Sequence, residues 1–392
     1  MCRTPSNREY MANPGDNTGV QLNICWVTVR KVSDLCSTTT LSLAQGLIQS
    51  GHNLTLLNPD LSHVHENYSW THHNLKQTHR KGFQASSVAK SAKDWFSVHH
   101  KPPIDLVLVD WQLANILVPF LQKKNYQMIL IDRSPPADVS LLGKLQWRNW
   151  KMAWKYVMKG TVAKGCVVSK AHSDYIQQHF TIASDCIHIL PAGVDSILFK
   201  SQRKPSIENE VRLVYHGRLD RHRGVLALPM LVQKLQNEGI KAEMTLIGEG
   251  DMFETLKQIS EMKSWLKVHP KMEQEGLAEI LSMQHIGLLP MPESKVWSLA
   301  SPLKRSEYLS AGLLVFGVKH DGHVLENTDS SWYHLVDEQD FHELGVNWIK
   351  SLNDSKFENG SKIARVYATE NCTWKESIDE LNHAIQSLQK SA

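Results

Sequence analysis

The stretch SPLKRSEYLSAGLLVFG, residues 301–317, decides the fold because it predicts a short helix followed at once by a buried strand. Ser301 is a residue type that begins helices, Pro302 suits the first helical position, and Gly312 suits the left-handed turn that ends a helix. The apolar run from Leu313 to Gly317 has the length and composition of a strand. The stretch therefore predicts a helix-to-strand connection of an α/β sheet.

The start of this predicted helix has the chemistry of an anion site. The first backbone N–H groups of a helix have no partner inside it and carry partial positive charge, to which Lys304 adds a full one. Glu307 follows about one turn later, where its carboxylate would accept hydrogen bonds from both hydroxyls of a ribose. The segment thus predicts a nucleotide-diphosphate site, and the alternative is an ordinary capped helix at the surface.

Length and composition indicate a globular chain of two domains. The chain has 392 residues, of which 42% are hydrophobic and 21% charged, and this length suits two domains of roughly 180 residues each. Its apolar runs fall far short of the roughly 20 residues that a membrane-spanning helix needs. The net charge of +3 is too small to indicate a nucleic-acid partner.

The N-terminus and the cysteines favour a cytoplasmic protein. Residues 1–18 are polar and lack the apolar segment of a secretory signal, so they predict a disordered extension. The six cysteines are scattered and include no Cys-x-x-Cys pair, which favours reduced thiols. We therefore expect a cytoplasmic location.

A polar region is rich in histidine. Its members are His63, His65, His72, His73 and His79. Their spacing matches no metal site of defined geometry. The pattern predicts a solvated loop, with a metal site as the alternative.

Strands and helices are predicted to alternate in two successive blocks, which is typical of parallel sheets. The first block opens with a strand at 22–29, a helix at 38–49 and a strand at 54–57, and the second begins at 211 after the polar stretch 200–210. We predict an α/β fold of two Rossmann-like, doubly wound domains facing a cleft: an N-terminal domain at 19–199, a linker at 200–210, a C-terminal domain at 211–372, and a final helix at 373–392 that crosses back toward the first domain.

In open α/β sheets, ligands bind beyond the carboxyl ends of the strands. The loop 217–224 follows such a strand and contains Arg218 and Arg223, whose forked donors match phosphate oxygens. The alternative for this loop is a solvated basic turn. The tripeptide Gly248-Glu249-Gly250 follows the next strand but lacks the third glycine of the dinucleotide fingerprint.

The corresponding loops of the first half are also charged. Arg30 and Lys31 follow the first strand, and Asp132 and Arg133 follow the strand at 128–131. A catalytic role for Asp132 is one hypothesis. The alternative is a structural pair of Asp132 with Arg133.

Five segments, taken in order, resemble those of GT-B glycosyltransferases of family four. The resemblance spans about residues 22–385, and the order and spacing of the segments make it specific. The segments are 51–55 (GHNLT), 191–195 (PAGVD), 217–224 (GRLDRHRG), 246–251 (LIGEGD) and 301–312 (SPLKRSEYLSAG).

This resemblance implies transfer of a sugar from a nucleotide-diphosphate donor, with retention at the anomeric carbon and no obligatory metal. It implies that Arg218 and Arg223 hold the donor phosphates and act in catalysis, and that Glu307 binds the ribose. Further donor contacts are implied at Gly217, Gly248, Glu249, Ser301, Pro302, Leu303 and Lys304, and acceptor-side contacts are expected at Arg30, Lys31 and Arg133.

The chain departs from the family pattern at three places. Leu299 stands eight positions before Glu307, where the family has a carboxylate that touches the donor sugar. The first loop carries the basic pair Arg30-Lys31 in place of paired glycines, and Ala192 replaces an asparagine. These departures leave the identity of the sugar and the approach of the donor open.

The segment 144–159 predicts a helix with a basic stripe beside an aromatic one. Such a helix suits an anionic membrane surface, where tryptophan and lysine favour the headgroup zone and a polyprenyl-linked acceptor would be presented. The alternative is that the tryptophans pack on the sheet and the lysines face water.

The sequence as a whole predicts a retaining glycosyltransferase that moves a hexose-type unit from a nucleotide sugar to a glycan, a lipid-linked acceptor or a small molecule. We expect no cofactor and no metal, and peripheral contact with the inner membrane face. Two alternatives are a nucleotide-sugar epimerase and a degenerate GT-B protein that binds nucleotide sugars or supports a partner enzyme.

Overall fold

The computed structural model describes residues 20–32, 37–98, 103–136 and 141–389. The chain divides into two units. Residues up to Val167, Ser173–Leu190 and the residues from Ser377 onward form the first, and Val168–His172 with Pro191–Glu376 form the second. The predicted N-terminal extension, Ser33 and Asp34 of the first loop, and residues 390–392 of the predicted final helix lie outside the described residues.

The described residues contain thirteen strands. In chain order they are β1 (Asn23–Val27), β2 (Asn53–Asn58), β3 (Thr71–Asn74), β4 (Leu106–Asp110), β5 (Gln127–Ile131), β6 (Lys164–Val167), β7 (Ile187–Ile189), β8 (Val211–Arg218), β9 (Ala242–Glu249), β10 (Leu266–His269), β11 (Ile286–Leu289), β12 (Leu314–Val318) and β13 (Tyr333–Val336).

The same part of the chain forms thirteen α-helices. They are α1 (Thr38–Gln49), α2 (Gln84–Val98), α3 (Trp111–Lys123), α4 (Leu141–Met158), α5 (Lys170–His179), α6 (Ala227–Asn237), α7 (Phe253–Met262), α8 (Gln274–Ser282), α9 (Lys295–Ser298), α10 (Leu303–Ser310), α11 (Phe341–Lys350), α12 (Asp354–Asn371) and α13 (Trp374–Gln389).

Each unit is built on one parallel sheet. The described part of the first unit has seven strands in the order β3-β2-β1-β4-β5-β6-β7, and that of the second has six in the order β10-β9-β8-β11-β12-β13. Each pairing of neighbouring strands is parallel. Two parallel sheets flanked by helices confirm the predicted α/β fold with two Rossmann-like domains.

Helices cover both faces of the first sheet. Apolar residues of α2, α3, α4 and α5 pack on one face, and those of α1 and α13 pack on the other. The central strands are therefore apolar over nearly their whole length, as in the fully buried run Val107–Val109. A single apolar core built from strands and helices of the second unit forms its interior.

The prediction of a solvated histidine loop is wrong for part of that region. Thr71–Asn74 forms the edge strand β3, which pairs with β2 and includes His72 and His73. His65 is buried, its Nε2 lies 3.3 Å from Asp60 Oδ2, and its ring stacks on His72. The region was misread because a short polar edge strand carries no apolar alternation.

Asp132 is buried in the first unit beneath α4. Its side chain is fully enclosed, and its Oδ2 accepts hydrogen bonds from Trp150 Nε1 at 2.5 Å and Trp154 Nε1 at 2.8 Å. Arg133, the next residue, donates to Thr40 Oγ1 at 2.7 Å. A carboxylate enclosed by two indoles favours a structural role for Asp132 over a catalytic one.

The aromatic stripe of α4 faces the protein interior. Trp150 and Trp154 are fully buried, and Trp147 packs against the same core. The lysines at 144, 151, 155 and 159 and Arg148 are exposed. Within the described residues, none of the helices combines the length and the apolar character needed to cross a bilayer.

Replacing Trp154 with phenylalanine tests the role of Asp132. The change removes an N–H donor to a fully buried carboxylate, so we expect the free energy of unfolding to fall by about 2 kcal/mol. The midpoint of urea unfolding measures the loss. Trp147→Phe, on the same helix but only partly buried, is the matched control and should cost less. Equal midpoints for wild type and Trp154→Phe would contradict a stabilising role for the hydrogen bond from Trp154 to Asp132.

Candidate functional site

The carboxyl edge of the second sheet brings two glycines into close contact. Gly217 and Gly248 pair across β8 and β9, with φ angles of 119° and 150°. A Cβ atom added to Gly248 would collide with the carbonyl oxygen of Gly217. Both positions therefore need glycine, because the left-handed backbone and the close approach exclude a side chain.

The loop that follows β8 is organised by one carboxylate. Arg218 donates from Nε to Asp220 Oδ2 at 3.2 Å and from Nη2 to Oδ1 at 3.0 Å. Arg223 Nε lies 3.6 Å from Asp220 Oδ2. The two arginines that the sequence singled out therefore meet at Asp220, which sequence reasoning did not select.

The pKa of Asp220 reflects this arrangement. Burial by itself raises the pKa of the carboxyl, but hydrogen bonds from Arg218 and from the backbone N–H of Asp251, with the charges of Arg218 and Arg223, outweigh it. The net effect is a pKa below the usual value. Asp220 is thus ionised at neutral pH and keeps both guanidinium groups in place.

Arg218 and Arg223 also contact residues other than Asp220. Arg218 Nη1 lies 3.4 Å from Glu249 Oε1, and the Arg218 side chain is 41% exposed, so it can reach a ligand. The guanidinium of Arg223 lies 4.4 Å from the ring centre of Trp297, on α9. His222 stacks on the same ring. This contact is a cation–π interaction that orients Arg223.

The helix predicted at Ser301 begins slightly later than expected. The helix α10 starts at Leu303, with Pro302 as the residue before it. Ser301 Oγ caps no helix N–H and instead accepts a hydrogen bond from the backbone N–H of Ala192 at 3.1 Å. Gly312 adopts φ of 70° at the end of the helix, as predicted.

The structure accounts in part for the alanine at position 192, where the family resemblance leads one to expect asparagine. Its N–H donates to Ser301, and its carbonyl accepts from Ser306 Oγ at 3.3 Å. The backbone of Ala192 and the hydroxyls of Ser301 and Ser306 therefore anchor the start of α10 to this segment. No side-chain amide is required for that contact.

Lys304 connects α10 with the loop after β8. Its buried ammonium lies 4.8 Å from the ring centre of Tyr215 and 3.9 Å from Met291 Sδ. Tyr215 Oη donates to the carbonyl oxygen of Arg218 at 2.9 Å. A Cβ atom on Gly217 would lie 3.4 Å from Lys304 Nζ. Arg218, Arg223 and Lys304 thus lie at the same carboxyl edge of the second sheet, and we call these three residues the cationic cluster.

Glu307 lies in the same region and has a partner that the sequence did not reveal. Its Oε2 is 3.0 Å from Nε2 of His216, the residue just before Gly217. The His216 ring packs edge-on against buried Tyr308, and its backbone N–H donates to Tyr308 Oη at 3.2 Å. The imidazole of His216 therefore lies beside the carboxylate to which the resemblance assigns the ribose.

Leu299 occupies the position of the missing carboxylate. Its side chain is buried, and its carbonyl oxygen accepts a hydrogen bond from Ser169 Oγ at 2.9 Å. An apolar side chain there offers no acceptor to the hydroxyls of a sugar.

The carboxyl edge of the first sheet places a different set of groups together. Asp110, at the end of β4, accepts hydrogen bonds from Thr28 Oγ1 at 2.5 Å and Trp26 Nε1 at 3.2 Å. Burial raises its pKa, opposed by these bonds and by the charges of Arg30 and Arg133. Sequence reasoning missed Asp110, although it is the last residue of a buried, otherwise apolar strand.

Buried side chains at the end of β2 and just after it hold the loop that follows β1. Asp60 Oδ2 accepts the backbone N–H of Val32 at 2.5 Å, and Asn58 donates to the carbonyl of Arg30 at 3.0 Å. Arg30 and Lys31 are half-buried. These contacts hold the backbone of the basic pair at the carboxyl edge of the first sheet.

Comparison with known proteins identified solved structures of the same fold. The chain is similar to sucrose-phosphate synthase from Thermosynechococcus elongatus, with 15% identity, a TM-score of 0.75, and coverage of 95% of this chain and 100% of that one. The catalytic domain of starch synthase IV from Arabidopsis thaliana, bound to ADP and acarbose, gives 12% identity, a TM-score of 0.68, and coverage of 96% and 100%.

A third similar structure is that of HepE from Anabaena in complex with UDP, with 11% identity, a TM-score of 0.69, and coverage of 94% of this chain and 100% of that one. Neither the protein-family models nor the curated proteins gave a match. At these identities the likeness concerns architecture. The chain has the GT-B fold, with two Rossmann-like domains of the kind found in glycosyltransferases.

Proposed function

We propose that this protein is a glycosyltransferase that takes a sugar from a nucleotide-diphosphate donor bound by its second unit. The observation that carries the proposal is the cluster of Arg218, Arg223 and Lys304 at one carboxyl sheet edge, beside the start of α10. The similar structures that contain UDP and ADP support a nucleotide diphosphate as part of the ligand.

The proposed chemistry is stabilisation of the leaving diphosphate. When the bond between the sugar and the β-phosphate breaks, negative charge grows on the phosphate oxygens. Donors that are already in place lower the barrier because they need no reorganisation at that moment. Asp220 holds Arg218, and Trp297 lies against Arg223, so both guanidinium groups are preorganised.

The finer points of the reaction follow from the family resemblance. It implies retention at the anomeric carbon, an acceptor bound by the first unit, and no obligatory metal. Arg30, Lys31 and Arg133 are the proposed acceptor-side residues. The NMR signal of the anomeric proton in the first-formed product, and activity in the presence of EDTA, test retention and metal independence.

Screening a panel of nucleotide sugars by thermal shift tests the proposal directly. A ligand at 100 times its dissociation constant stabilises the folded protein by about 2.7 kcal/mol. Release of free nucleotide diphosphate from the selected donor would separate an enzyme from a degenerate protein that only binds. An isomerised nucleotide sugar formed without acceptor would indicate the epimerase.

Arg218→Ala is expected to lower kcat/KM about 100-fold, because it removes a donor to the developing diphosphate charge. Initial rates with the selected donor measure the effect. Arg221→Ala is the matched control, since Arg221 is an exposed arginine of the same loop, and it should change the rate less than threefold. Unchanged turnover in Arg218→Ala would refute the phosphate role.

Glu307→Gln is expected to abolish the preference for ribose over 2′-deoxyribose. In the wild type, loss of the 2′-hydroxyl leaves a buried carboxylate unsatisfied and should weaken binding about tenfold. The amide of the variant accepts less strongly, so the two nucleotides should bind within about threefold of each other. Calorimetry with both nucleotides measures the ratio.

Glu261→Gln, at an exposed position of α7, controls for the loss of charge and should keep the full preference. A Glu307→Gln variant with the wild-type ratio would show that Glu307 does not contact the ribose.

We also propose that the exposed face of α4 rests on an anionic membrane surface, which suits a lipid-linked acceptor. The segment 141–159 contains no acidic residue. Its exposed cations are interleaved with Leu145, Met152 and Met158, which are 58%, 36% and 40% exposed. Cations near an anionic bilayer each contribute about 1 kcal/mol, and the apolar side chains would enter the interface.

Flotation with phosphatidylcholine vesicles, with and without phosphatidylglycerol, tests this surface. The wild type should float only with the anionic lipid, and a triple variant with glutamate at Lys144, Lys151 and Lys155 should stay at the bottom. The control variant carries Lys257→Glu, Lys263→Glu and Lys362→Glu, which make the same charge change in the second unit. It should still float. If the wild type stays at the bottom with anionic vesicles, the exposed face of α4 does not bind an anionic membrane.

A further inference from the structure

Three potential metal ligands meet in the first unit, outside the sites described above. Glu380 and His383 stand three residues apart on α13, so both lie on one face of the helix. His188 lies on the edge strand β7, against which this helix packs. One ligand atom from each of the three side chains lies within 4.8 Å of the others.

The distances suit a small ion with three protein ligands. His188 Nδ1 is 2.6 Å from Glu380 Oε1, and His383 Nδ1 is 3.7 Å from Glu380 Oε2. Ligand atoms around a tetrahedral zinc ion, with bonds of about 2.0–2.1 Å, lie about 3.3 Å apart. These two distances lie on either side of that value, and all three ligand atoms lie within 4.8 Å of one another, so side-chain rotations would be needed to bring them to tetrahedral spacing.

Burial differs among the three ligands in a way that suits ion entry. His188 is 4% exposed, and its Nε2 has no hydrogen-bond partner among the described residues. The side chains of Glu380 and His383 are 36% and 69% exposed and leave a path from solvent.

We propose that His188, Glu380 and His383 bind a divalent transition-metal ion, with Zn²⁺ as the best fit and water in the fourth position. Two imidazoles and one carboxylate favour zinc over magnesium or calcium, which prefer oxygen ligands. The ion would join α13 to the edge strand of the first sheet. Because the unfolded chain does not hold these ligands together, binding would stabilise the fold.

The test uses the full chain without a polyhistidine tag, stripped with EDTA and dialysed. Zn²⁺ titrated in competition with a chromophoric chelator should bind as a single tight ion per chain and raise the melting temperature. Co²⁺ should give the visible absorption of a tetrahedral complex. Mg²⁺ should produce neither effect.

His383→Gln and Glu380→Gln should each weaken Zn²⁺ binding at least tenfold and remove the rise in melting temperature. Both side chains are partly exposed, so these variants should fold. His79→Gln, at an exposed histidine elsewhere in the first unit, should bind like the wild type. The proposal is overturned if the stripped wild type binds no Zn²⁺ tightly, or if the two variants bind it as the wild type does.

Discussion

The cationic loop of the second unit depends on the carboxylate of Asp220. Two guanidinium groups in one short loop repel each other, and a shared carboxylate between them offsets that repulsion while fixing their positions. Asp220 also accepts the backbone N–H of Asp251 at 3.2 Å, which ties the loop after β8 to the loop after β9. One buried side chain thereby sets both the shape and the charge of the proposed diphosphate site.

The close approach of β8 and β9 also shapes the proposed diphosphate site. Gly217 and Gly248 allow β8 and β9 to remain paired up to Arg218 and Glu249, the last residues of the two strands. The ammonium of Lys304 then lies next to Gly217, where a bulkier residue would crowd it. Paired strands that extend this far give the following loops a rigid base, which preorganised electrostatic stabilisation requires.

Asp132 and α4 show how a chemically suggestive pattern can have a structural cause. The charged pair after β5 and the tryptophans of the next helix were separate observations in the sequence. In the structure they are one feature, because Trp150 and Trp154 donate to Asp132. The indoles are thereby removed from the proposed membrane surface, which is left with lysines, an arginine and three exposed apolar side chains.

Much of the fold was predictable because buried parallel strands are apolar throughout and their helices have a regular apolar period. The helix at Thr38–Gln49 was predicted with its observed bounds. Edge strands such as Thr71–Asn74 and Tyr333–Val336 were missed, since they are short, and the first carries polar side chains. The helix at Gln84–Val98 was also missed, because its apolar stripe lies among many polar residues.

The amino-acid sequence by itself determined the alternation of strands and helices, the presence of two α/β halves, and the chemistry of the loops at the strand ends. These properties depend on local periodicity and on residue type. Only the tertiary structure decided that Asp220 holds both arginines, that His216 contacts Glu307, and that His188 meets Glu380 and His383. The physical reason is that these contacts depend on how the strands and helices pack: His216 and Glu307 are 91 residues apart, His188 and Glu380 are 192, and nothing in a local pattern records which residues packing will bring together.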